Sequence, residues 1–233
     1  LAYLKTNVEG TYNILEASKN NDIEQLIVTS TSETYGTAQK IPINENHRLL
    51  GQSPYSASKI SADQLSISYW RSFKLPVKII RPFNAYGPRQ SSRAIIPTII
   101  IQALNKKKEI KLGNIKTSRD YTYVTDICNA YFEILKIKNM FGTSINVGSN
   151  QEYKIEFIAK KIISKINPKA KIIIDKKRVR PKLSEVDRLV CDNSLIIKNT
   201  SWRPIYNFDS GLDKTIEWIK INKKSNYFDN YYI

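Results

Sequence analysis

Two short stretches gather the side chains best able to do chemistry. They are Ile27-Val-Thr-Ser-Thr-Ser-Glu-Thr-Tyr-Gly36 and Tyr55-Ser-Ala-Ser-Lys59. Together they hold hydroxyls at Thr31 and Ser32, a carboxylate at Glu33, a phenol at Tyr55 and an ammonium at Lys59. Tyr55 and Lys59 stand at i and i+4, so a helix puts them on one face. An ammonium beside a phenol favours the phenolate and lowers its pKa from about 10. Such a tyrosine can act as a general base near neutrality. Tyr-x-x-x-Lys also occurs as an ordinary exposed helix pair, so its neighbours decide its meaning.

These groups need elements to position them. Residues 26–30 read as a buried strand that runs into turn chemistry ending at Gly36. Residues 37–53 are polar and loop-like. Ser53 or Pro54 opens a helix to about residue 73, and Lys74-Leu-Pro76 ends it. Residues 77–80 read as a strand, and 81–88 as a loop held by Pro82, Gly87 and Pro88. Further helices are expected over 3–20, 94–106, 126–136, 155–166 and 212–221, the last with Asp209 and Ser210 as capping candidates. Further strands are expected over 108–112, 121–124, 144–147 and 171–174, with a basic, irregular segment over 178–191. The tail, residues 223–233, is polar and aromatic and is expected to be loosely held.

Strands and helices alternate to about residue 148, which predicts an α/β fold with a parallel sheet covered on both faces. The later pattern is more mixed, as in a smaller second lobe. Ligands of such sheets bind beyond the carboxyl ends of the strands. Three segments lie there: 30–36, 83–88 and the turn at Gly148.

Composition narrows the class. The 233 residues are 41% hydrophobic, enough for a sizeable core. No run approaches the roughly 20 apolar residues of a membrane helix, so no membrane association is expected. The net charge is +16, but the lysines are scattered and no aromatic side chains interleave with them. A stacking platform for nucleic acid is therefore not expected, and a small anionic substrate fits better. Cys128 and Cys191 have neither framework nor metal spacing and suit a reducing, cytoplasmic compartment. The single histidine, His47, would have to carry any histidine metal site or triad alone; no metal is expected.

Eight segments in order resemble the extended short-chain dehydrogenase/reductase family, in particular its nucleotide-sugar epimerases and dehydratases. They are Asn7-Val-Glu-Gly-Thr11, Ser30-Thr-Ser-Glu-Thr-Tyr-Gly36, Tyr55-Ser-Ala-Ser-Lys59, Arg81-Pro-Phe-Asn-Ala-Tyr-Gly-Pro88, Arg119-Asp-Tyr-Thr-Tyr-Val-Thr-Asp126, Asn146-Val-Gly148, Arg180-Pro181, and Trp202-x-Pro204 with Gly211-Leu212. The resemblance implies a Rossmann-like doubly wound parallel sheet and a smaller carboxyl-terminal lobe. Residues 1–88 and 120–150 would belong to the NAD-binding domain, and 89–119 with 151–233 to the nucleotide-sugar lobe. The family's glycine-rich phosphate loop has no counterpart here, and the chain starts without Met. A longer enzyme lacking its amino-terminal part is therefore expected, and the piece alone is expected to be inactive.

Thr31-Ser-Glu33 resembles the sugar 4,6-dehydratases, of the GDP-mannose or nucleotide-linked N-acetylglucosamine type, more than the epimerases, which lack the carboxylate. The resemblance implies these roles. Tyr55 takes the proton of the hydroxyl on sugar carbon 4 while NAD accepts hydride, with Lys59 in support. Thr31 binds that hydroxyl. Glu33 removes the proton on carbon 5, water leaves carbon 6, and hydride returns there. Ser32 stands where other dehydratases have an acidic residue; the leaving group would be protonated by Glu33 or through water. Asn7 and Phe83 would approach NAD with Thr31, Tyr55 and Lys59. Asn84 would contact the sugar diphosphate, with Arg119 and Arg180 as a charge-assisted clamp. A homodimer through the Asn7 and Tyr55 helices is implied. The bland alternatives are Glu33 and Ser32 as turn formers, Phe83 as core, Asn7 as a plain helix residue, and surface arginines. An epimerase or decarboxylase, or a non-catalytic relative acting as a binding subunit, are the rival functions.

Overall fold

β2 (Val77–Pro82) is the middle strand of the first sheet. The structure is a computed structural model and describes residues 1–222. Val77, Ile79 and Ile80 have no exposure, as suits a strand covered on both faces. β1 (Leu26–Thr29) and β6 (Ser144–Val147) flank it, each parallel to it. Alternation along the strands divides the core. Val28, Val77 and Ile79 meet Leu15 and Tyr69, from α1 (Gly10–Lys19) and α2 (Pro54–Phe73). Ile80 and Ile145 face the other way, onto Ile127, Ala130 and Ile134 of α4 (Val124–Lys136). A π-helical turn at Leu4–Glu9 leads into α1.

A second sheet forms beside β5 (Ser118–Tyr123). β3 (Asn84–Tyr86) and β9 (Arg188–Leu189) run parallel to β5, and β7 (Glu152–Lys154) runs antiparallel. β4 (Glu109–Leu112) and β8 (Lys171–Ile174) make a parallel pair. Their apolar faces pack with α3 (Ile95–Leu104), α5 (Ile155–Ile166) and α7 (Phe208–Asn222) in the largest apolar cluster. α6 (Ser194–Asn199) contributes Ile196 to the core of the first sheet.

The α2 boundaries follow local chemistry. Ser53 and Ser56 form a reciprocal capping box, and Pro54 occupies the first turn, where its missing N–H costs nothing. Lys74 closes the helix in the left-handed region (φ 58°), with Pro76 beyond. Pro97 is tolerated in α3 for the same reason, since it lies in the first turn.

Three readings of the sequence change. The segment at 84–86 is a strand, not only loop. β5 starts at Ser118 and joins the second sheet, not the one containing β2. Part of the irregular segment becomes β9, paired to β5. The expectation for the tail lies outside the described residues. Among the described residues no helix is long and apolar enough to cross a membrane.

Candidate active site

β1 ends beside the carboxyl end of β2, and the chain turns there through a 3-10 helix, Ser32–Tyr35. Thr31, in extended conformation, caps that turn: its hydroxyl accepts the Glu33 N–H at 3.2 Å. Gly36 must be glycine. Its φ is +63°, and a Cβ would lie 2.8 Å from the Leu50 carbonyl oxygen. Ser32 is buried, whereas Thr31 and Glu33 are half-buried.

The opposite wall is α2, which carries Tyr55 and Lys59 one turn apart. Burial pushes the Tyr55 phenol above its ordinary value; a Thr31 hydrogen bond opposes this, and the Glu33 carboxylate reinforces it. Thr31 and Glu33 thus lie close enough to Tyr55 to act on its phenol. Tyr3 packs edge-on against Tyr55 at 5.6 Å. Asn7 donates to the Ser58 hydroxyl (2.9 Å), which in turn donates to the Tyr55 carbonyl (2.7 Å). This ties the π-helical turn to the first turn of α2.

One expectation is corrected. The Lys59 ammonium was expected to depress the Tyr55 pKa, yet it donates to the Thr29 carbonyl at 2.5 Å, and the phenol is raised. Burial also lowers the Lys59 pKa, and Asp63 one turn later opposes that. A half-buried ammonium goes to the nearest strong acceptor, which here is the end of β1.

Beyond this turn lies a cleft of about 390 Å³. Glu33, Asn84, Arg119 and Arg180 all line it, so four of the predicted residues converge. Arg119 is 7% exposed on β5. It donates to the Ser118 carbonyl and pairs with Glu185 at 3.7 Å. Arg180 is exposed. The Asn84 Oδ1 and Gln90 Oε1 atoms are buried without a partner among the described residues. Phe83 is 2% exposed and packs with Tyr35, Leu189 and Cys191; the structure puts it in the core, away from the open cleft.

Gln90, Arg93, Lys111 and Arg178 also line the cleft and escaped the sequence reading. Arg178 ends a 3-10 turn, Lys176–Arg178, and Arg180 follows two positions on; the cluster of basic residues over 176–180 was the available signal. Among the described residues no group of three His, Cys, Asp or Glu is placed to hold a metal ion.

A family model described as GDP-mannose 4,6 dehydratase matches residues 1–215. The dTDP-D-glucose 4,6-dehydratase of Dictyostelium discoideum is 38% identical over 175 residues, which is 70% of this chain and 40% of the relative. This chain therefore spans less than half of that relative's length. The dTDP-glucose 4,6-dehydratase of Bacillus anthracis str. Ames, solved in complex with NAD, has a TM-score of 0.85 at 29% identity, covering 97% of this chain and 70% of the other. The UDP-glucuronic acid 4-epimerase of Bacillus cereus, solved with UDP-glucuronic acid and NAD, has a TM-score of 0.87 at 27% identity, covering 94% and 68%. With the family model matching nearly the whole chain, this chain belongs to the GDP-mannose 4,6-dehydratase family of nucleotide-sugar dehydratases and epimerases.

Proposed function

We propose that the chain carries the catalytic turn, the Tyr55 helix and the sugar-nucleotide lobe of an NAD-dependent nucleotide-sugar 4,6-dehydratase. The observation that carries this reading is Glu33. Its carboxylate stands between the Thr31–Tyr55 pair, on which it acts, and the basic cleft that it lines with Arg119 and Arg180. An oxidation needs the first group; only a dehydration needs a second base beside it.

The residues fit the nicotinamide–ribose end of the cofactor. Lys59, with donors beyond the one given to the Thr29 carbonyl, and Asn7, bonded to Ser58 on the Tyr55 helix, would hold it. NAD would supply reversible hydride acceptance. Thr31 holds the hydroxyl on carbon 4 and Tyr55 takes its proton. The resulting ketone acidifies the proton on carbon 5, and Glu33 removes it. The leaving hydroxyl on carbon 6 takes a proton from Glu33, directly or through water. Ser32 is 3% exposed and has no acidic proton to give; it supports the turn. The cleft cations, Arg119 fixed by Glu185 and Arg180 at the rim, suit a diphosphate.

A homodimer through α1 and α2 belongs to the same reading, since Tyr12, Ile14 and Phe73 are exposed apolar side chains there, as is Leu4 in the π-helical turn before α1. Both cysteines are free thiols, which a reducing cytoplasm would preserve. The domain bounds at 88, 120 and 150 remain part of this reading, with β5 shared between the lobes at the cleft.

A 4-epimerase is the competing reading, because the Bacillus cereus epimerase superposes as well as the dehydratase. Glu33→Gln separates the two. In a preparation whose wild type turns over a nucleotide sugar with NAD, the variant is expected to oxidise carbon 4 and accumulate reduced nicotinamide absorbance. Loss of water should slow by about 10²–10⁴-fold, the usual worth of a positioned base. Undiminished formation of the 4-keto-6-deoxy product would end the dehydratase reading.

A further inference from the structure

Arg81 touches both segments that carry the proposed chemistry. It lies on β2, and its Nε and Nη2 donate to Asp63 Oδ2 at 3.0 and 2.9 Å. Its Nη1 donates to the Tyr35 hydroxyl at 3.0 Å. Asp63 follows Tyr55 and Lys59 on α2 at successive steps of four, so it lies on their face of the helix. Tyr35 ends the 3-10 turn that holds Thr31, Ser32 and Glu33. Its hydroxyl donates onward to Asn146 Oδ1 on β6 at 2.7 Å, and Asn146 Nδ2 donates to the Ile43 carbonyl at 3.0 Å.

None of these groups is open to water: Arg81 is 3% exposed, and Asp63, Tyr35 and Asn146 are at 0%. The guanidinium is a planar fork with fixed spacing between its donors. One rigid group therefore bridges the helix of Tyr55 and the turn of Glu33. Eighteen or more residues of loop separate these two in sequence, and the loop alone sets no distance between them. The Tyr35 ring also lies against the guanidinium, 5.0 Å from its carbon.

We propose that Arg81, with Asp63 and Tyr35, forms a positioning device that sets the spacing between the Tyr55 phenol and the Glu33 carboxylate. The proposal rests on the dehydratase reading above. There the two groups act in sequence on neighbouring sugar carbons, so an error of a fraction of an ångström in their separation slows the second proton removal. Arg81, Asp63 and Tyr35 touch neither substrate nor cofactor in this account. They are positioning residues.

Tyr35→Phe tests this with the least disturbance, because the ring stays and only the two hydroxyl bonds go, the one from Arg81 and the one to Asn146. Rates are taken in a preparation whose wild type turns over a nucleotide sugar with NAD, per folded molecule, with folded fraction from circular dichroism. The expected result is a KM within about twofold of wild type, because the diphosphate cations do not meet Tyr35. The kcat should fall about tenfold, an order consistent with misplacements of under 1 Å. The oxidised intermediate should accumulate, because Glu33 is displaced more than Tyr55. Should Tyr35→Phe not fold, Arg81→Lys takes its place with the same expected split, since an ammonium lacks the planar fork that meets Asp63 and Tyr35 at a fixed spacing. Unchanged kcat per folded molecule, a rise in KM alone, or slowing without accumulation would each overturn the proposal. Glu33→Gln run alongside separates the failures. Full turnover in that variant sinks the dehydratase reading, whereas a Glu33 defect with normal Tyr35→Phe kinetics sinks only the positioning role.

Discussion

Arg81→Met is the most demanding stability test of the centre of the molecule. The substitution fills most of the side-chain volume and removes the cation. Asp63 is then left at 0% exposure without its ion pair. Two hydrogen bonds to Asp63 and one to Tyr35 are lost. Removing one partner of such a buried pair costs about 3–5 kcal/mol. For a chain of this size that corresponds to a fall in Tm of roughly 6–20 °C. Burial already raises the Asp63 pKa, with Arg81 as the main opposing influence. In the variant the folded-state value rises further above the unfolded one. A carboxyl of that kind loses stability as pH climbs from its unfolded toward its folded pKa. The deficit should therefore be small near about pH 4 and full above neutrality. Replacing both partners, as Arg81→Met with Asp63→Leu, should recover most of the loss, because no buried charge remains. The assay is thermal unfolding of wild type, both single variants and the double across that pH range. A Tm loss under about 2 °C at neutral pH, a deficit independent of pH, or a double variant no better than Arg81→Met would refute the reasoning.

Two other perturbations follow from the site. Lys59→Met removes an ammonium that donates to the Thr29 carbonyl and not to the phenol, while burial is what raises Tyr55. The rising limb of kcat against pH should therefore stay where it is in wild type; a move to higher pH would show that Lys59 does activate Tyr55 and would refute this placement of its charge. Asp120 is fully buried and accepts from the Ser149 and Asn150 backbones and from Cys191, yet burial pushes its pKa up to about 6. It therefore opposes folding increasingly as pH rises from about 4 to about 6, by up to about 3 kcal/mol. Asp120→Asn should flatten that slope while lowering Tm overall, because an amide turns a donor toward backbone N–H groups. Unchanged slopes in Tm against pH would contradict the assignment.

Much of the site was legible in the chain because it is local. The turn at 31–36 needs Thr31 as a cap and Gly36 at positive φ, and both are visible as residue types. The Tyr55–Lys59 face follows from helical periodicity, and Ser53-Pro54 marks where that helix begins. The long strands announce themselves through apolar runs. β3, β7 and β9 do not, because two or three residues carry no period and become strands only by pairing with β5.

By itself, then, the sequence determined the family and the order of most elements, and it marked the candidate reacting groups, since these rest on spacing within a turn or along one helix. Tertiary structure decided where the charges go. Lys59 reaches the Thr29 carbonyl instead of the phenol, because at half-burial the closest acceptor prevails. Phe83 turns into the core beside Tyr35. Arg81 meets Asp63 across the packing of β2 on α2, and meets Tyr35 at the end of the 3-10 turn after β1. Residues 18 and 46 positions apart come within hydrogen-bond distance only once helix and strand have crossed, and no pattern within either segment encodes that crossing.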